Sequence, residues 1–131
     1  PFDAMASTTT DTVIADLKVS RERLIPIPDL LEKEDWEAVR RILKTPPVNS
    51  LWNLGETKNT LMILAKETGN FDLIEVKDEL AGSLQMCDQF TYDNVFVYYQ
   101  PGSGKVKVKE PKELAIRAMK QLDEAIGLAT Q

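Results

Sequence analysis

The chain repeats apolar residues at helical spacing in four separate stretches, and none alternates them over a length that would build a buried sheet. From Thr10, Val13, Ile14, Leu17, Leu24, Ile27 and Leu31 fall on one stripe, with Pro26 and Pro28 placed to distort or end its last turns. A second pattern starts behind Glu34, Asp35 and Glu37, acidic residues that suit a helix N-terminus, and puts Trp36, Val39, Ile42 and Leu43 on one face. Lys44 suits the end of that segment. Pro46 and Pro47 then interrupt it, Asn49 or Ser50 offers a fresh cap, and Leu51, Leu54, Leu61, Leu64 and Ala65 resume the stripe as far as Gly69. The expectation is one long second helix, broken or kinked at the proline pair.

Asn70 is placed to start a third helix, whose stripe runs through Leu73, Val76, Leu80, Leu84, Cys87 and Thr91 toward Tyr99. The run FVYY at 96–99 fits a strand when taken alone, and continuity with the preceding pattern favours helix. PGSG at 101–104 has loop composition, and KVKVK at 105–109 alternates lysine with valine over too short a length to anchor a sheet. The last segment opens on Pro111, at a position a first helical turn tolerates, and lines up Ala115, Ala118, Met119, Leu122, Ala125, Ile126 and Ala129. Glu113 and Arg117 add a favourable pair four residues apart. Four stripes and no credible sheet predict an all-α fold, an antiparallel up-down-up-down four-helix bundle. At 131 residues the chain fits a single domain, 1–131, with 1–9 expected to be flexible and 101–110 a loop before the last helix.

Composition narrows the function. With 43% apolar and 28% charged residues the chain should fold, and a net charge of −5 argues against nonspecific binding to nucleic acid or to an anionic lipid surface. No apolar run approaches the roughly 18 residues a membrane-spanning helix needs. Histidine is absent, which removes Glu-x-x-His di-iron sites, histidine-built zinc sites and histidine-based nucleophile triads. The single Cys87 cannot form an internal disulfide and fits a small buried hydrophobe. No cofactor and no metal site are expected.

The remaining motifs read mainly as scaffold and surface. EKED at 32–35 and the pair Asp78, Glu79 lie where solvated charge is expected, without EF-hand spacing. GSGK at 102–105 lacks the glycine spacing and the following Ser or Thr of a phosphate loop. Trp36 fits the end of a core ahead of an interface anchor, Trp52 fits core or recognition equally, and Tyr92, Tyr98 and Tyr99 fit the core edge first and recognition second. Arg21, Arg23, Arg40 and Arg41 fall mostly opposite the apolar stripes, which disfavours an arginine-and-carboxylate active site. Charge is uneven: residues 1–100 hold 10 Lys and Arg against 17 Asp and Glu, whereas 101–131 hold 6 against 4. Lys105, Lys107, Lys109 and Lys112 therefore form either a candidate docking patch for an acidic partner on an otherwise acidic molecule or, equally, a solvated linker.

The order of these features, with LLEKEDWEAVRRIL after one helix, a long second helix, the CDQFTYDNVFVYY segment and the closing ELAIRAMKQLDEAIGLA, resembles the PsbQ-like family of extrinsic photosystem II proteins. The likeness covers about residues 10–129 and is sharpest in KEDWEAVRRIL and from YYQ to LDEAI. The proline pair and the lysine–valine loop look more like an algal, diatom branch than the plant subunit. The resemblance implies a non-enzymatic four-helix bundle in the chloroplast thylakoid lumen, peripheral to the membrane through its protein partners and a monomer when free. Such proteins dock on the photosystem II core and its other extrinsic subunits, protecting the oxygen-evolving centre and retaining its calcium and chloride without ligating the manganese. A transient assembly or repair factor of the same fold is the other function these features allow.

Overall fold

The structure, a computed structural model, describes the backbone of residues 2–99 and 104–131 and side chains from Thr9 onward. Among the described residues it is all-helical and contains no strand. Its α-helices are α1 (Phe2–Leu24), α2 (Ile27–Glu32), α3 (Trp36–Lys44), α4 (Thr60–Thr68), α5 (Asp72–Val97) and α6 (Lys109–Ala129), with short 3₁₀ turns at Val48–Leu51 and Glu56–Lys58. The first helix begins at Phe2, earlier than the periodicity from Thr10 indicates. It ends at Leu24, where Pro26 and Pro28 set the break, and α2 carries the same stripe onward: Val13, Leu17, Leu24, Ile27 and Leu31 are all buried. Glu34 closes α2 in the left-handed region at φ 57°, with its N–H on Leu31 O and the Asp35 N–H on Leu30 O, a Schellman-type ending without the usual glycine.

The second stripe departs from the expected long helix. It is broken at the prolines, not kinked, and more widely than expected: residues 45–59 form an irregular connector with the two 3₁₀ turns, leaving α3 and α4 at nine residues each. Two prolines without amide donors and Gly55 disfavour helix here, while the spacing of Leu51 and Leu54 imitates one. Leu51 is buried but Leu54 is exposed. The cap of α4 is Asn59, not Asn49 or Ser50: its Oδ1 accepts from the N–H groups of Leu61 (2.9 Å) and Met62 (3.2 Å), and its Nδ2 donates to Leu51 O. Lys77 of α5, itself buried, reaches up to the connector and pairs with Glu56. Gly69 ends α4 in the left-handed region at φ 72°, the role its position predicts.

α5 continues through Val97, so FVYY is helical at Phe96 and Val97 and a turn at Tyr98 and Tyr99, and no part of it is strand. The chain resumes at Gly104 as irregular backbone up to Val108, and α6 starts at Lys109, two residues ahead of Pro111. Pro101, Gly102 and Ser103, part of the expected 101–110 loop, lie outside the described residues.

One core joins all six helices: α5 packs on α3, α4 and α6, and α1 packs on α4 and α6. Polar contacts set the directions. Asn70 Nδ2 donates to Leu128 O, Cys87 Sγ to Pro111 O and Asn94 Nδ2 to Lys107 O, so α5 and α6 run antiparallel. Arg21 pairs with Asp123 and Glu32 with Lys112, which ties α6 to α1 and to α2. Glu34 accepts from the Tyr98 hydroxyl and Arg40 pairs with Asp88, giving α3 and α5 opposite directions. Replacing Asn59 by Ala should lower stability by about 1–2 kcal/mol, because the cap and the tie to the connector go together. Urea unfolding followed by circular dichroism should show that drop, whereas the exposed neighbour Asn53→Ala should stay within about 0.5 kcal/mol of the parent.

Candidate docking surface

The alternation in KVKVK has a structural cause. Val106 and Val108 pack against the core, so Lys105 and Lys107 on either side of Val106 are exposed. Asn94 of α5 holds the loop from both ends of its amide: Nδ2 donates to Lys107 O at 2.7 Å and Oδ1 accepts from Lys107 N–H at 2.7 Å. Above that clamp, Lys107 Nζ lies 5.5 Å from the centre of the Phe90 ring, a cation–π contact at the exposed end of the scale.

The four candidate lysines are not all on a loop. Lys109 is the exposed first residue of α6 and Lys112 lies in its first turn, with Nζ on Glu32 at 2.7 Å. Lys105, Lys107 and Lys109 thus form an exposed cationic edge, while Lys112 bridges α6 to α2 and has a partner already. A cation at a helix N-terminus opposes the helix dipole, costing a few tenths of a kcal/mol, so helix stability does not account for Lys109.

A second basic surface lies between α3 and the C-terminal half of α5. An open groove of about 540 Å³ is lined by Glu37, Arg40, Arg41, Lys44, Thr45 and Val95. Arg40 is anchored through Nε to Asp88 at 3.0 Å, and its guanidinium stands 4.6 Å from the centre of the Tyr92 ring. Among the described residues Arg41 pairs with Glu37 alone, at 3.1 Å across one exposed turn. Arg21 pairs elsewhere and Arg23 lines a smaller adjoining hollow that shares Arg41 and Thr45 with the groove, so the four arginines do not converge on one closed pocket. The signal for this groove was the RRILK ending of the second stripe, whose exposed cations recur at helical spacing beside its buried face.

The other singled-out residues divide by burial. Trp36 is buried in the core, and Trp52, half-buried in the connector, donates its indole N–H to Leu43 O at 2.8 Å. Tyr92, Tyr98 and Tyr99 are 40, 58 and 77% exposed, so they stand outside the core edge where spacing put them. The Tyr98 hydroxyl donates to Glu34, and this bond holds its pKa above the ordinary phenol value. EKED, Asp78 and Glu79 are exposed, and Lys105 of GSGK follows Gly104 at φ 113°. Among the described residues no group of three or more Cys, Asp or Glu is placed to hold a metal ion, and no helix is long and apolar enough to cross a membrane. The chain matches no family model, no curated protein and no solved structure.

Cys87 is fully buried, and burial pushes its thiol from the usual 9.0 up to about 12, with the neighbouring Asp88 carboxylate adding to the rise. A thiol held neutral is a poor nucleophile. Native protein at about pH 8 should therefore react with Ellman's reagent only as fast as it unfolds, and denatured protein at once. The raised folded value also sets a sign: unfolded thiol ionises near 9, so this group's share of stability is intact below that pH and is lost as pH rises toward 12. Urea midpoints compared between the parent and Cys87→Ala across that range should show the extra loss in the parent alone. At the groove, Arg40→Ala should cost about 1–3 kcal/mol and exceed Asp88→Asn, because it strands a buried carboxylate, while partial exposure of the arginine keeps the figure below that of a fully buried pair.

Proposed function

We propose that the chain is a PsbQ-like extrinsic subunit of photosystem II, of the kind represented by the fifth extrinsic protein of the diatom complex. In this proposal it is a non-enzymatic, antiparallel four-helix bundle on the lumenal side of the thylakoid membrane, whose four arms are α1–α2, α3–α4, α5 and α6. It docks on the core and its neighbouring extrinsic subunits and helps the oxygen-evolving centre keep calcium and chloride. The observation that carries the proposal is how the segment most like the family, KEDWEAVRRIL, distributes its residues. Asp35 caps α3 by accepting from Ala38 N–H, Trp36, Val39 and Leu43 are buried, and Arg40 crosses to Asp88. Every polar residue of the motif is then used as a cap, as a tie to α5 or at the surface, which suits a scaffold signature. The exposed edge of Lys105, Lys107 and Lys109 supports electrostatic docking, since like-charged cations gathered on an acidic body steer an acidic partner.

The test is rebinding to photosystem II particles stripped of their extrinsic proteins, with oxygen evolution read at low calcium and chloride. Saturable, salt-sensitive rebinding that restores activity is expected. The triple variant Lys105→Glu, Lys107→Glu, Lys109→Glu should bind at least about tenfold more weakly with unchanged helix content. Lys112 is left in place because its reversal would set a second carboxylate against Glu32. Unchanged rebinding of the triple variant would remove the lysine edge from the docking surface, and no rebinding of the parent would favour the transient assembly factor.

A further inference from the structure

We propose that the groove between α3 and α5 is a second, separate recognition site that takes an acidic peptide segment of a partner protein through paired carboxylate and apolar side chains. This stands on the groove alone and does not depend on the photosystem II assignment.

Two surface chemistries meet there. On the α3 side, Arg41 has only an exposed one-turn partner in Glu37, worth a few tenths of a kcal/mol, and Lys44 makes no ion pair among the described residues. Beside Val95, which lines the groove on the α5 side, Tyr92 and Phe96 are about two-fifths exposed and meet edge to face at 4.9 Å and 71°. Arg40 joins the halves, since its one guanidinium both pairs with Asp88 and covers Tyr92. That lock fixes the ring and holds the arginine, so little side-chain freedom remains to be lost there when a partner binds.

The helix dipole explains one cation at the end of α3 but not the exposed aromatic pair beside it. Tyrosine, phenylalanine and arginine together are the composition enriched at protein recognition sites. The sign of the groove chooses the occupant. In a molecule of net charge −5, Arg40, Arg41 and Lys44 set against Asp88 and Glu37 leave the groove a local positive charge, carried by Lys44, that repels basic segments and attracts acidic ones, and Val95 in its lining with the rings beside it supplies the apolar contact. The volume, about 540 Å³, holds a few side chains of an extended strand or one helical turn.

A fluorescein-labelled synthetic peptide rich in Glu and carrying two Phe residues is the probe, read by anisotropy, with amide NMR shifts locating the contact. Binding is expected to shift amides of residues 37–45 and 92–96 and to weaken at least about tenfold in the doubly reversed variant Arg41→Glu, Lys44→Glu. A matching peptide with Phe replaced by Ser should bind several-fold more weakly, and the Lys105→Glu, Lys107→Glu variant should bind like the parent. Equal binding by the Arg41 and Lys44 variant, equal binding of the peptide without Phe, or loss confined to the lysine-loop variant would each overturn the proposal. Both altered side chains are exposed, so the variant should keep its fold, which circular dichroism checks in the same samples.

Discussion

The helices α3, α4 and α6 find their places against the buried stripe of α5, and α1 and α2 are held in turn by those three. Leu73, Val76, Leu80, Leu84, Cys87 and Thr91 run along one side of a helix that spans 26 residues, or roughly 39 Å. No short helix here could hold itself together in water, because nine residues are too few to repay nucleation. α3 and α4 exist because α5 offers them apolar surface, each buried leucine contributing on the order of 1.5–3 kcal/mol. α6 meets the same post with alanines at 115, 118 and 125, whose small side chains let the two backbones approach closely. The α5–α6 contact is accordingly the most extensive in the fold.

The ion pairs have a different task. Arg21 with Asp123 and Lys112 with Glu32 are largely exposed, and pairs of that kind contribute little stability. What they report is register: each matches a residue low on one helix to one high on its neighbour. Arg40 with Asp88 is the exception, since it is mostly out of water and backed by a ring. Removing one member there exposes the asymmetry between an unmade hydrogen bond and a stranded charge. Lys77 follows the same logic at the connector. Its hydrogen bond with Glu56 raises its pKa against the opposing pull of burial, so the ammonium stays charged and the irregular segment stays tied to α5.

Helix content was legible wherever a stripe was long. The α5 and α6 stripes can be read almost residue by residue, as can the break at Pro26 and the stop at Gly69. The connector at 45–59 was not, because Leu51 and Leu54 keep helical spacing while only one of them is buried. Periodicity records where apolar residues recur and is blind to whether the backbone between them can donate hydrogen bonds. The tyrosines stand outside the core for another reason: Tyr92 lies on α5 beneath Arg40, and Tyr98 and Tyr99 fall in the turn after the helix ends. The lysine edge was legible from its alternation with valine, which is the spacing of an extended strand pinned by one face. The α3–α5 groove was only half legible, since RRILK shows its cations and nothing local in the chain places Tyr92 beneath Arg40.

Those two basic surfaces flank the same stretch of α5, one through Asn94 and the other through Tyr92 and Val95. Successive side chains of a helix point about 100° apart, so residues 92, 94 and 95 can serve a core-facing clamp and an open groove within a single turn. The pairing of α5 with α6 thereby fixes where the lysine edge stands, and its pairing with α3 fixes the groove. An acidic chain that must avoid indiscriminate cation-driven contacts gains two positive faces of fixed separation from one rigid element. Replacing the exposed cations of either face should then leave the other in position, because the buried stripe that orients both faces contains none of them.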